Sequence, residues 1–179
     1  MSANNKNQNL TNLASPKIGT KIIEVSDDFF GEASRMLDDK EPVFIEDKYD
    51  EHGKWMDGWE SRRRRDGGND WAIIELGSPG IISEVDIDTS FFTGNFPPFA
   101  SIEGLYSDQK PNKDSDWIEI MSKTSLKGDS SNKFKIQSKS KINYIKLQIF
   151  PDGGVARLRL FGEVKFDWDA YNNKKDLIE

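Results

Sequence analysis

The sequence predicts an all-β protein, an antiparallel sandwich or jelly roll. From Trp71 onward, apolar residues recur at period two, in short runs of roughly even spacing. Turn clusters separate the runs, and almost no helical pattern lies between them. Many short alternating strands in series are the signature of a closed antiparallel architecture.

Residues 1–14 are rich in Asn and nearly free of large apolar groups, which predicts a disordered tail. A short N-terminal helix is expected from Ser26. Ser26 suits an N-cap, Asp27 and Asp28 put negative charge in the first turn, and Phe29, Phe30, Ala33, Met36 and Leu37 recur at helical spacing. Pro42 lies beyond its end. The strands then read WAIIEL (71–76), ISEVDIDTSFF (82–92), FASIEGLYS (99–107), WIEIMSK (117–123), NKFKIQS (132–138), INYIKLQIF (142–150) and VARLRLFGEV (155–164). Their turns are GSPG (77–80), GNFPP (94–98), SDQKPNKDSD (107–116) and LKGDSS (126–131). The domain is therefore expected over 15–165, and the charged stretch 166–179 as a linker or the start of a further unit.

With 179 residues the chain suits one domain with a real core. It has no cysteine, which excludes disulfides and thiolate metal sites and fits a cytoplasmic location. No apolar run approaches the roughly 20 residues that span a bilayer, so no membrane partner is expected. A net charge of −6 argues against a general nucleic-acid binder. The four arginines of WMDGWESRRRRDGGND are flanked by Asp57, Glu60, Asp66 and Asp70, and suit gripping a carboxylate better than a nucleic acid, with a solvated charge run the alternative for Arg64 and Arg65. His52, the one histidine, sits in a polar loop with no metal-ligand spacing around it. No cofactor is expected, although the Asp-rich loops leave a divalent metal open.

Alternation assigns faces. Val85 and Ile87 share one face of their strand while Asp86 and Asp88 share the other, roughly 7 Å apart. Ala156, Leu158 and Leu160 face the core, and Arg157 and Arg159 point away. Two descriptions of that charged face stay open, a solvated exterior with cross-strand ion pairs or a charged concavity. Phe91 and Phe92 cannot both face the core in strict alternation, so the strand must bend or bulge there.

KIIEVSDDFFGEASRML (21–37), DGWESRR (57–63), NDWAIIELGSPG (69–80), VDIDTSFFTGNFPP (85–98) and IFPDGGVARLRLFGEV (149–164), in this order, resemble the allantoicase family. The resemblance covers most of residues 15–165. It implies a jelly roll similar to galactose-binding modules, and hydrolysis of allantoate to ureidoglycolate and urea in allantoin breakdown. Family enzymes carry two such repeats, and this chain resembles the first. It is thus expected either as a piece of a longer enzyme or as a single repeat that completes its surface as a homo-oligomer.

Allantoate is a carboxylate whose central carbon bears two ureido groups. Releasing urea requires a cation for the carboxylate, an acid for the leaving group and a base for the incoming water. Arginines from 62–63 or 157–159 suit the first task by their chemistry, so Arg62, Arg63, Arg157 and Arg159 are candidates. Asp86, Asp88 and Glu60 are candidates for acid and base, and Thr93 and Asn95 for the ureido groups. The alternatives are a non-catalytic ligand- or sugar-binding module, stacking a ring near Trp55, Trp59 or Phe96, and an inactive repeat used for assembly.

Overall fold

The computed structural model of the chain describes residues 10–166, together with positions 169 and 172. Its strands are β1 (Thr11–Asn12), β2 (Lys21–Val25), β3 (Tyr49–Asp50), β4 (Gly53–Lys54), β5 (Trp59–Glu60), β6 (Asp70–Asp88), β7 (Phe99–Leu105), β8 (Ile118–Ser125), β9 (Ser131–Lys135), β10 (Ile142–Phe150), β11 (Gly154–Val155) and β12 (Arg157–Val164). The first half of β6 pairs with β10 and β2, and its second half with β12 and β9. β10 continues through β7 to β8, and β12 continues to β1. All of these pairs are antiparallel. Ile74, Ile102, Ile145 and Leu147 from one side meet Val85, Ile87, Leu158 and Leu160 from the other in a single buried cluster. This is an antiparallel jelly-roll β-sandwich.

The turn expected at GSPG does not break the chain into two strands. β6 runs through it for 19 residues and changes partners there, from Ile142 opposite Gly80 to Val164 opposite the same glycine. A strand that switches sheets needs a sharp corner. Here the corner is tight enough that a Cβ on Gly77 would fall 1.9 Å from the Ile18 carbonyl oxygen. Pro79, which has no N–H to offer a ladder, sits where the partners change.

The N-terminal helix is not formed. Ser26 instead receives the Trp71 amide on its hydroxyl and donates that hydroxyl to Asp70, at 2.8 Å each. Asp27 and Asp28 turn back to the amides of Phe29 and Ala33. Short polar side chains here compete with helical bonding. Only Ala33–Leu37 coils, as a 3-10 turn that buries Ala33, Met36 and Leu37. The end of the expected disordered tail is also ordered. Thr11 and Asn12 pair with β12, and Leu13 and Ala14 are fully buried. Residues 1–9 and most of 166–179 lie outside the described residues.

The strand entering SFFTGNFPP stops at Asp88. Phe92 is fully buried, while Phe91 turns outward at φ 73 and stacks on Phe44. The two rings thus leave on opposite sides through a turn, where the sequence predicts a strand with a bend or bulge as far as Phe92. Among the described residues no helix is long and apolar enough to cross a membrane.

Candidate active site

Three segments far apart in sequence meet at one end of the sandwich. The first is β5 with the arginine run that follows it. Trp59 is fully buried and its indole N–H donates to the Asp27 carbonyl at 2.8 Å, which anchors β5. The second is the 151–154 turn leading into β11. β11 pairs with β5, setting Gly154 opposite Glu60 and Val155 opposite Trp59. The third is the 94–98 turn, whose Asn95 carbonyl accepts the Gly154 amide at 2.8 Å.

Two glycines permit this approach. Gly153 stands at φ 133, and a Cβ there would lie 2.7 Å from the Asn95 carbonyl oxygen. A Cβ on Gly154 would lie 2.0 Å from the Phe92 ring. Gly153 is further fastened to Ser61, whose amide donates to its carbonyl at 3.0 Å and whose hydroxyl accepts its amide at 3.2 Å. DGWES, FFTGNFPP and PDGG are therefore one structure, joined by backbone.

Between them lies a cleft of about 530 Å³. Its walls include Phe30, Glu60, Arg63, Asn95, Phe96 and Asp152. Half-buried Glu60 accepts the Asn95 side-chain amide on Oε1 at 2.9 Å. Burial pushes its carboxyl above the usual range, and the Asn95 bond only partly opposes this.

The arginine run alternates. Arg62 is committed to Asp27, from Nε at 2.8 Å and Nη2 at 2.7 Å, and lies over the Phe29 ring. Burial pushes Asp27 up, but the Phe29 amide and the Arg62 side chain and amide outweigh it and leave it below the usual range. Arg64 donates to Asp66 and, at 2.8 Å, to fully buried Asp70, while its amide donates to Asp152 at 2.8 Å. Arg63 and Arg65 carry no ion pair or hydrogen bond among the described residues, and of these two only Arg63 lines the cleft.

Of the residues singled out from sequence, the structure thus gathers Glu60, Arg63 and Asn95. Thr93 is exposed beside the cleft-lining Gly94 but is not part of the wall. The Asp86, Asp88, Arg157 and Arg159 set lies elsewhere. Register does put Arg157 opposite Asp88 and Arg159 opposite Asp86. Arg157, expected to grip a substrate carboxylate, is instead 1% exposed. Its guanidinium is bidentate to Asp57, at 3.1 and 2.8 Å, and donates to the carbonyls of Lys40, Arg35 and Ala156. All three of its nitrogens are thus engaged within the fold. Arg159 similarly bonds the carbonyls of Asp38, Asp39 and Lys40. Asp88 receives the Ser90 amide at 2.8 Å, ending its strand, and Asp86 receives the Ser131 hydroxyl at 2.7 Å. Burial raises Asp86, and Asp88 nearby adds to this. Neither aspartate lines the cleft.

Sequence reasoning missed Asp152 and Arg64 as wall residues. The signal for Asp152 was present in PDGG, an acidic residue placed directly before a glycine pair. His52 stacks on Phe29 at 4.0 Å between ring centroids. Among the described residues no three of His, Asp and Glu gather as a metal site.

The fold is thus a jelly-roll β-sandwich with a polar cleft built from loops at one end. A sequence model of the allantoicase repeat matches residues 11–165, and the chain belongs to that family. It is 48% identical over 169 residues to a probable allantoicase of Acinetobacter baylyi, covering 94% of this chain and 51% of that one. The crystal structure of allantoicase from Saccharomyces cerevisiae superposes with a TM-score of 0.79 at 34% identity, over 89% of this chain and 50% of that one. A carbohydrate-binding module, CBM32-3 of a family 31 glycoside hydrolase from Clostridium perfringens, shares the fold alone. Its TM-score is 0.59 at 10% identity, over 87% of this chain and 96% of the module. The chain spans about half the length of the curated relatives it matches.

Proposed function

We propose that this chain serves the hydrolysis of allantoate to ureidoglycolate and urea, as a hydrolase of carbon–nitrogen bonds in linear amidines. The observation that carries this is the convergence of a guanidinium unpaired among the described residues, a half-buried carboxyl and a side-chain amide on one cleft of ligand size. Arg63 holds the substrate carboxylate. Glu60 donates a proton to the departing urea. Asn95 orients Glu60 and bonds a ureido group, which is rich in donors and acceptors. Asp86, Asp88, Arg62, Arg157 and Arg159 lie outside this cleft and serve the fold, in which each makes at least one bond, although Asp86 Oδ1 is buried without a partner among the described residues. The proposal extends to a cytoplasmic homo-oligomer without nucleic-acid partners, consistent with the acidic, cysteine-free chain.

A sugar-binding role has less support. Trp59 is enclosed, and Trp55 is covered by Lys48 and Arg35, so of the three aromatics considered for ring stacking only Phe96 lines the cleft.

The test is urea release from allantoate. Arg63→Ala should raise KM about ten- to hundredfold, the equivalent of losing a charged hydrogen bond of about 1.5–3 kcal/mol, with thermal unfolding unchanged. An unchanged KM would remove Arg63 from the carboxylate site. Absence of allantoate-dependent urea would contradict the proposal itself.

A further inference from the structure

Hydrolysis needs a proton acceptor as well as a donor, and the cleft contains a second carboxylate. We propose that Asp152 is that acceptor, working opposite Glu60; this rests on the allantoate reading. Asp152 accepts the Arg64 amide through Oδ2 at 2.8 Å, while Oδ1 has no partner among the described residues. The other carboxylates around the arginine run are ion-paired: Asp27 with Arg62, and Asp66 and Asp70 with Arg64, which they share. Asp152 lies in no ion pair among the described residues, so Glu60 and Asp152 are the two cleft carboxylates not held by a cation.

Its placement is rigid. Asp152 precedes Gly153, which Ser61 holds through both amide and carbonyl. It stands two residues before Gly154, the register partner of Glu60. The donor and acceptor thus sit on the two strand ends of one backbone-paired unit, on the same side of the fold as Arg63. Rigid support of this kind is what acid–base pairs require.

In the proposed step Oδ1 of Asp152 takes one proton from a water molecule. The water oxygen bonds to the central carbon of allantoate. The carbon–nitrogen bond breaks, its electron pair goes to nitrogen, and Glu60 supplies the proton that lets urea leave neutral. Solvent returns the proton from Asp152 to Glu60, so one water is consumed and no other reagent is needed.

Asp152→Asn keeps an acceptor for the Arg64 amide while removing the base. The expected result is a kcat at least about a hundredfold lower, a KM for allantoate within about threefold, and loss of the acid limb of the pH–kcat/KM profile. Glu60→Gln should remove the alkaline limb instead. Turnover of D152N within threefold of the unsubstituted protein, with its acid limb intact, overturns the role of Asp152 and leaves the allantoate reading standing. No urea release by the unsubstituted protein overturns both. If D152N proves unfolded by circular dichroism, Asp152→Glu decides the matter. Its acid limb should shift while turnover persists in part, and an unaltered profile overturns the inference.

Discussion

Glu60→Gln is expected to lower urea release from allantoate by about 10²–10⁴-fold with the fold intact. The substitution is nearly isosteric, and the glutamine oxygen can still accept from Asn95, which bonds Oε1 at 2.9 Å. β5 is held by the buried Trp59 and by its pairing with β11, neither of which involves the carboxyl. What disappears is the transferable proton. Burial holds that proton on Glu60 to higher pH than on an exposed glutamate. The sign follows: the acid is competent below its raised pKa, so turnover falls as pH rises through it. In E60Q the residual rate should lose this alkaline limb. Steady-state kinetics across pH, with circular dichroism of both proteins, check the result. Turnover within a few-fold of the unsubstituted protein would make Glu60 a structural residue.

Arg157→Met is expected to destabilise the protein by about 3–5 kcal/mol, the usual cost of removing one partner from a buried ion pair. The side chains of Arg157 and Asp57 are 2% and 12% exposed, so solvent screens the pair little. Methionine fills part of the volume but removes the guanidinium from Asp57 and from the carbonyls of Lys40, Arg35 and Ala156. Lys40 and Arg35 belong to the segment that lies over β12, so the segment should loosen with the strand. Since domains are stable by only about 5–15 kcal/mol, the loss is a large share. Urea denaturation measures it as a lower midpoint. Arg159→Ala, whose partners are exposed carbonyls, should move the midpoint far less. Equal effects from the two would contradict the burial argument.

Arg157 also shows where sequence stops being informative. Alternation in VARLRL correctly separates Leu158 and Leu160, both fully buried, from Arg157 and Arg159. Period two states which residues share a face, not what covers that face. Here residues 35–40 and Asp57 cover it, all of them 100 or more positions before Arg157, turning an apparently solvated arginine into a buried one. The same limit hid the partition of the arginine run. Its four members look alike in sequence, and only the fold brings Asp27 to Arg62 and Asp70 to Arg64, leaving Arg63 free at the cleft.

The jelly roll itself was legible because its strands alternate and their turns are rich in Gly and Pro. GSPG misled because glycine and proline mark a corner within a strand as readily as a turn between strands. Ser26 misled for a related reason: an N-cap residue is equally good at capping a strand edge, as its bonds to Trp71 and Asp70 show. The turn at GNFPP was legible from its Gly and Pro. Its contact with PDGG, through the Asn95 carbonyl and the two glycines, has no local signal in either segment.

Titration of the isotope-labelled chain with allantoate, followed through its backbone amide resonances, tests the site most directly. The cleft predicts that shifts concentrate at residues 60–64, 94–96 and 152–154, and that Arg63→Ala weakens the titration. Shifts centred instead on Asp86, Ser131 and Lys133, or no shifts at concentrations that support turnover, would contradict it.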